Sequence, residues 1–343
     1  MWTPPSLKNY AVNAAYFMFI ILIYHTSYSL VGIPYDASMP EMAPETHARL
    51  GLSYWKGVFG IIGVLIGSLV AAPLFESIGA VAMGAVVGVV GVVTIYITLL
   101  GLRETDRPIG EPMPAVEGLK ATFKNNQFLI LFFSTAFVHI AYQMVLANFP
   151  YFVTLVLRGT EGDVGIYQGI LIIFIAITGP VWLWLNKKYS QRALLNASML
   201  MLATIFALGF TIGMDGLPAT TLAYIFVAFV GTALGGYLIL IYAMMGNLVD
   251  YDEMLTKRRR EAIFYGTFSF AIGLGTAVGT LILPLLLENF GYTQANPLGV
   301  RLSFPVMAVF VFIGYFIFRS YRIGDTPEET RKNLNMDETQ ETA

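Results

Sequence analysis

The sequence contains no cysteine among its 343 residues, which excludes disulfides, thiolate metal sites and cysteine nucleophiles together. Histidine is nearly as scarce. His25, His47 and His139 fall in separate segments, so no spacing suits a histidine metal cluster, and no metal or cofactor is expected. Charge is also scarce: 12% of residues are charged, about half the share of an ordinary soluble domain. The net charge of −2 lacks the basic surface that displaces counterions from phosphates, so no nucleic-acid partner is expected. Glycine-rich phosphate loops, a His-Glu-x-x-His helix and a Ser-His-Asp arrangement are all missing, which argues against an enzyme and against ATP-driven work. MWTPPSLKN has no basic leader, and the apolar run behind it is too long for a cleaved signal. The first segment is therefore expected to stay in the membrane.

Apolar residues dominate instead, at 56% of the chain with a mean hydropathy of +0.67. A bilayer core about 30 Å thick takes roughly 20 apolar residues per helix. Nine runs qualify, at 10–34, 55–75, 79–101, 127–156, 165–186, 193–214, 217–247, 262–288 and 303–319, and they predict an all-α polytopic membrane protein. Basic residues gather on the cytoplasmic side of short loops. With alternating sides, only Lys8, Arg158 and Arg301 of the 20 lysines and arginines fall opposite the rest. This predicts a multi-pass plasma-membrane protein, in a bacterium the inner membrane, with its N-terminus outside and its C-terminus cytoplasmic.

The longest polar stretch divides the chain unequally. The predicted organisation is three helices in 1–101, a cytoplasmic linker at 102–126, six helices in 127–320 and a disordered cytoplasmic tail at 321–343. Transporters are commonly built from matched repeats around a site at the bilayer midplane, so six helices after a linker call for six before it. Glycines at four-residue spacing, namely Gly63 and Gly67, Gly84 and Gly88, Gly231 and Gly235, and Gly275 and Gly279, predict faces where helix backbones touch.

Polar side chains inside apolar spans are costly and so are candidate functional groups. Thr135, His139 and Gln143 repeat every fourth residue and share a helix face, with Tyr142 beside them. They suit a substrate surface, with His139 able to change charge near neutral pH, and equally an interhelical hydrogen-bond set. Tyr24 with Tyr28 and His25 with Ser29 form two further pairs, whose rings and hydroxyls suit a sugar or simple packing. Lys56, near the start of the second span, is placed either to hold a substrate or to snorkel to the interface.

Between the first two spans lies VGIPYDASMPEMAPETHAR, residues 31–49. Pro34 and Pro40 are expected to break the helix there, and Glu41, Glu45 and Arg49 at four-residue spacing to form one charged face. IPYDASMPEMAPETHARL, together with NLVDYDEMLTKRRREAIFYG at 247–266, resembles two elements of the glycoside-pentoside-hexuronide:cation symporters, the melibiose-carrier-like branch of the major facilitator superfamily. The two matches lie in the family's order and correspond to helices 4–5 and 10–11, so the chain resembles helices 4–12 of that architecture.

The resemblance implies secondary active symport of a sugar with Na+ or H+ by alternating access. It places Tyr28, Ser29, Asp36 and Lys56 toward the substrate, and Asp250, Tyr251, Glu253, Arg259 and Glu261 in a cytoplasmic gate with Glu41, Glu45 and Arg49. Partners on this reading are a small-molecule substrate, the bilayer, and either the family's first three helices or another chain, without which coupled transport is not expected. Gly32, Asn247 and Gly273 stand where the melibiose carrier has an aspartate, an aspartate and a lysine, which weakens the implication of sodium coupling. A lipid or amphiphile carrier of the same superfamily and a non-transporting membrane sensor are the alternatives.

Overall fold

The computed structural model describes residues 10–43, 45–102, 114–214, 218–256, 258 and 260–335, and among them every regular element is helical. The chain divides into two compact units, Met1–Pro44 with Val58–Pro108, and Glu45–Gly57 with Ile109–Ala343.

The first unit holds α1 (Tyr10–Ala37), α2 (Met39–Met42) and most of α3 (Thr46–Gly101). Pro34 does not end α1, contrary to expectation. The helix runs on to Ala37, because a proline forfeits one N–H bond and the bond Ser38 N–H to Pro34 O still closes the last turn. α3 is two helices joined at Gly79, whose φ of 77° and ψ of 168° leave helical space in a region that favours glycine. The break separates the predicted second and third spans at the ESIG turn.

The second unit holds α4 (Ala115–Lys124), α5 (Asn126–Tyr151) with a π-turn at Phe152–Val156, α6 (Glu161–Leu185), α7 (Gln191–Gly209), α8 (Ala219–Thr256), α9 (Glu261–Phe290), α10 (Leu298–Phe318) and α11 (Pro327–Leu334). Side chains cap these helices where the sequence supplies them. Asn125 Oδ1 accepts from Gln127 N and Phe128 N, Thr160 and Asp163 form a capping box, and Ser190 caps α7.

α5 packs against α9 and α10, and α8 against α6 and α7. Glycine makes those approaches possible. A Cβ on Gly231 would lie 2.6 Å from Leu171 O and one on Gly235 2.8 Å from Ile175 O, while Gly275 and Gly279 sit on Ala136 O and Ile140 O. Among the described residues, nothing lies within 4 Å of where a Cβ on Gly63, Gly67 or Gly88 would go. Two of the four predicted glycine pairs thus mark backbone contacts.

Eight helices among the described residues are long and apolar enough to cross a membrane. The other predicted span, 55–75, lies in the first arm of α3, where several side chains fall outside the described residues. Over 321–335 the tail differs from the expectation of disorder: α11 is helical, capped by Thr326, and Tyr321, Ile323 and Thr330 are buried, while 336–343 lie outside the described residues.

Candidate functional site

Two polar clusters lie within the second unit. The first is built on α5 and α8. The face carrying Thr135, His139 and Gln143 turns inward, with Thr135 and His139 buried and Gln143 half-buried. His139 Nδ1 lies 3.1 Å from Thr135 O and 3.2 Å from the Tyr237 hydroxyl. Thr135 O can only accept, so Nδ1 carries the proton and Nε2 is the acceptor in neutral imidazole. Tyr142 and Tyr237 flank the ring. Close approach by Gly275 against the His139 Cβ fixes that side chain from α9. Nearby in the same unit, Lys56 Nζ lies 3.8 Å from the centroid of the Tyr242 ring, a cation over an aromatic face.

The second cluster joins the start of α3 to the last turns of α8. Arg49 is 1% exposed, and its Nη1 reaches Asp250 Oδ2 at 2.6 Å and Asn247 Oδ1 at 3.2 Å. Gly246 lets the guanidinium stem lie against α8, since a Cβ there would meet Arg49 Cδ at 3.0 Å. Asn247 Nδ2 then donates to Gln191 Oε1 at 3.1 Å, and Gln191 N donates to both Asp325 oxygens at 2.9 and 3.1 Å. An amide at 247 is chemically apt, because it accepts from arginine and donates to glutamine at once, whereas an aspartate could only accept. Four segments distant in sequence are thereby joined from Arg49 to Asp325.

Beside it, Arg260 Nε donates to Asp252 Oδ2 at 2.9 Å and Nη2 to Oδ1 at 2.5 Å, with both side chains buried. Burial pushes the Asp325 carboxyl up to about 6, against the lowering effect of the Gln191 N–H; Glu329 raises it and His47 lowers it.

The other sequence-predicted residues are dispersed. Tyr28 and Ser29 are exposed on α1, Tyr28 stacked on Tyr24 at 6.4 Å, and Asp36 is half-buried near the end of that helix. Glu41, Glu45 and Arg49 do not share one helix, because α2 ends at Met42 and α3 begins at Thr46. Glu45 is exposed, and the Glu41 side chain and Arg259 lie outside the described residues. Tyr251 and Glu253 are half-buried and Glu261 is buried at the first turn of α9. Sequence reading missed Gln191, Tyr237, Asp252, Arg260 and Asp325. Gln191, directly after a serine cap, and Tyr237, a tyrosine in an apolar span, carried a weak signal; the Asp252 and Arg260 pairing carried none.

Comparison with known proteins places the chain in a family. The profile of the MFS/sugar transport protein family matches residues 1–324. The chain is 25% identical over 262 residues to the sodium-dependent lysophosphatidylcholine symporter 1-B of Danio rerio, covering 71% of this chain and 48% of that protein. It is 24% identical over 319 residues to the glucuronide carrier protein homolog of Escherichia coli (strain K12), covering 87% and 68%. It is 24% identical over 278 residues to the isoprimeverose transporter of Lactiplantibacillus pentosus, covering 77% and 57%. The chain thus spans from about half to about two thirds of these relatives' own length. A bacterial homologue of the iron transporter ferroportin, solved in an outward-facing state, shares the fold at a TM-score of 0.62 and 14% identity, covering 82% of this chain and 67% of that one. With the profile matching nearly its whole length, the chain belongs to the MFS/sugar transport protein family.

Proposed function

We propose that this chain carries the substrate surface and the inner gate of a secondary transporter that moves a sugar together with a cation by alternating access. The observation that carries the reading is the buried Arg49, held by Asp250 and Asn247 where α3 and α8 meet. A charge buried inside a membrane protein persists only when paired, and a pair between separate elements can close one access route and part when it opens. Parting it costs free energy that the binding of substrate and cation has to offset.

His139 supports the substrate role. Its Nδ1 is engaged, so Nε2 is the group that accepts a sugar hydroxyl or a proton. Lys56 over Tyr242 adds a cation beside an aromatic face, which suits a sugar bearing a carboxylate. Two of the relatives are named for a glucuronide and for isoprimeverose, and they favour sugar. The relative named for lysophosphatidylcholine favours a second reading, an amphiphile carrier.

Uptake of a labelled glucuronide into membrane vesicles, from cells expressing the gene with its natural flanking sequence, separates the two. Competition by unlabelled acidic sugars supports sugar transport; competition by lysophosphatidylcholine alone supports the amphiphile carrier.

A further inference from the structure

α4 presents an apolar stripe that the described residues cover only in part, at Phe123, whose ring lies against Phe128 and Phe132. Val116, Leu119 and Phe123 recur at helical spacing and are 65%, 43% and 39% exposed, while Gly118 and Thr122 on the opposite side are buried. Lys120 and Lys124 lie along one edge of the stripe, with Glu117 beyond them. A short helix with an exposed apolar face edged by lysines lies in the plane of a membrane interface, its apolar side among the acyl chains.

Behind that helix is a cavity of about 450 Å³, the size of a small-molecule site. Its polar wall comes from Lys124, Asn125, Tyr251, Asp252, Thr256 and Arg260, and Leu255 and Leu334 supply apolar surface. Asp252 engages two nitrogens of Arg260 and balances its charge, which leaves Lys124 as the net positive charge of the polar wall. Arg260 is only 5% exposed, yet its third nitrogen, Nη1, has no hydrogen-bond acceptor among the described residues. A buried guanidinium N–H without an acceptor carries an unrecovered desolvation cost that an anionic oxygen would remove.

We propose that this cavity binds the phosphate headgroup of an anionic phospholipid, with Arg260 and Lys124 on the phosphate oxygens, Thr256 as a neutral donor, and the glycerol neck against Leu255 and Leu334. A lipid source follows from position, since α4 sets the cavity at headgroup depth. The site is separate from the Arg49 network and does not rest on the transport reading.

The test is native mass spectrometry of the purified full chain with dioleoylphosphatidylglycerol or dioleoylphosphatidylcholine added. Retention of the glycerol lipid over the choline lipid by about tenfold is expected, because both carry a phosphate but only the former is net anionic. Lys124→Gln, on an exposed residue, should weaken that retention about fivefold, and Arg260→Gln should abolish the preference. Gel filtration and circular dichroism check that Arg260→Gln folds; should it not, Lys124→Gln decides alone. Equal retention of the two lipids overturns the proposal, as does unchanged retention in Lys124→Gln. Displacement of the lipid by excess inorganic phosphate would assign the site to a soluble anion and overturn the lipid assignment.

Discussion

At the scale of single residues, Arg49 organises the buried network because its Nη1 meets two acceptors on one helix turn of α8. Arg49→Ala leaves the buried Asn247 without that donor and Asp250 without its charge partner. Asp250 keeps some access to solvent, with 36% of its side chain exposed, so the expected loss of stability is about 2–3 kcal/mol, below the range for a fully buried pair. Arg49→Lys should fall between, since the ammonium keeps the charge but sits on a shorter stem and lacks the fixed plane of the guanidinium. Thermal unfolding in detergent measures both. Asp325 makes a pH prediction. Its carboxyl is raised from the ordinary range to about 6 while docked, so docking of the tail is strongest below about pH 4 and weakens as pH rises through about 6. Hydrogen exchange of the α11 amides, corrected for the intrinsic pH effect, should show less protection at pH 7.5 than at pH 5, and Asp325→Asn should remove that difference. None of this was legible from Asp325 in the sequence, because what perturbs it is burial against a helix 134 residues away.

At the scale of elements, the glycine spacing was a good guide where helices pack within the second unit. Gly275 and Gly279 let α9 rest on α5, and Gly231 and Gly235 let α8 rest on α6. Gly275→Ala and Gly231→Ala should each destabilise by about 1–3 kcal/mol through forced separation of backbones, whereas Gly63→Ala should stay within about 0.5 kcal/mol. Unfolding midpoints compared across the three variants decide the matter. Spans and their turns were legible because hydropathy and turn residues act locally. The hinge was misread in one respect: Pro34 sits within α1, since the bond closed by Ser38 N–H outlasts the single donor that proline lacks. The part of the tail up to Asn335 was misread because its order comes from outside itself. Arg322 N–H donates to Gln127 Oε1, Arg192 Nη2 donates to Arg319 O, and Asp325 accepts from Gln191.

At the scale of the whole molecule, the distribution of basic residues predicts the cytoplasmic face, and it puts Thr256 inside and Thr160 outside. The absence of cysteine makes that easy to examine. With single cysteines at Thr160 or Thr256 in intact cells, an impermeant thiol reagent should label position 160 and spare 256; the opposite pattern reverses the orientation. Family membership was legible from the two quoted elements, which lie in the family's order. Which groups meet across the unit was not: Asn247, read only as a departure from an aspartate, is the amide that links Arg49 to Gln191. The central claim is coupled transport through a site that includes His139. Its most direct test is glucuronide uptake into vesicles from cells expressing the gene with its natural flanking sequence, with and without an inward proton or sodium gradient, for the unaltered protein and His139→Ala. The account predicts saturable uptake that one of the gradients accelerates and that His139→Ala reduces at least about tenfold at equal expression; uptake indifferent to both gradients and to His139→Ala would contradict it.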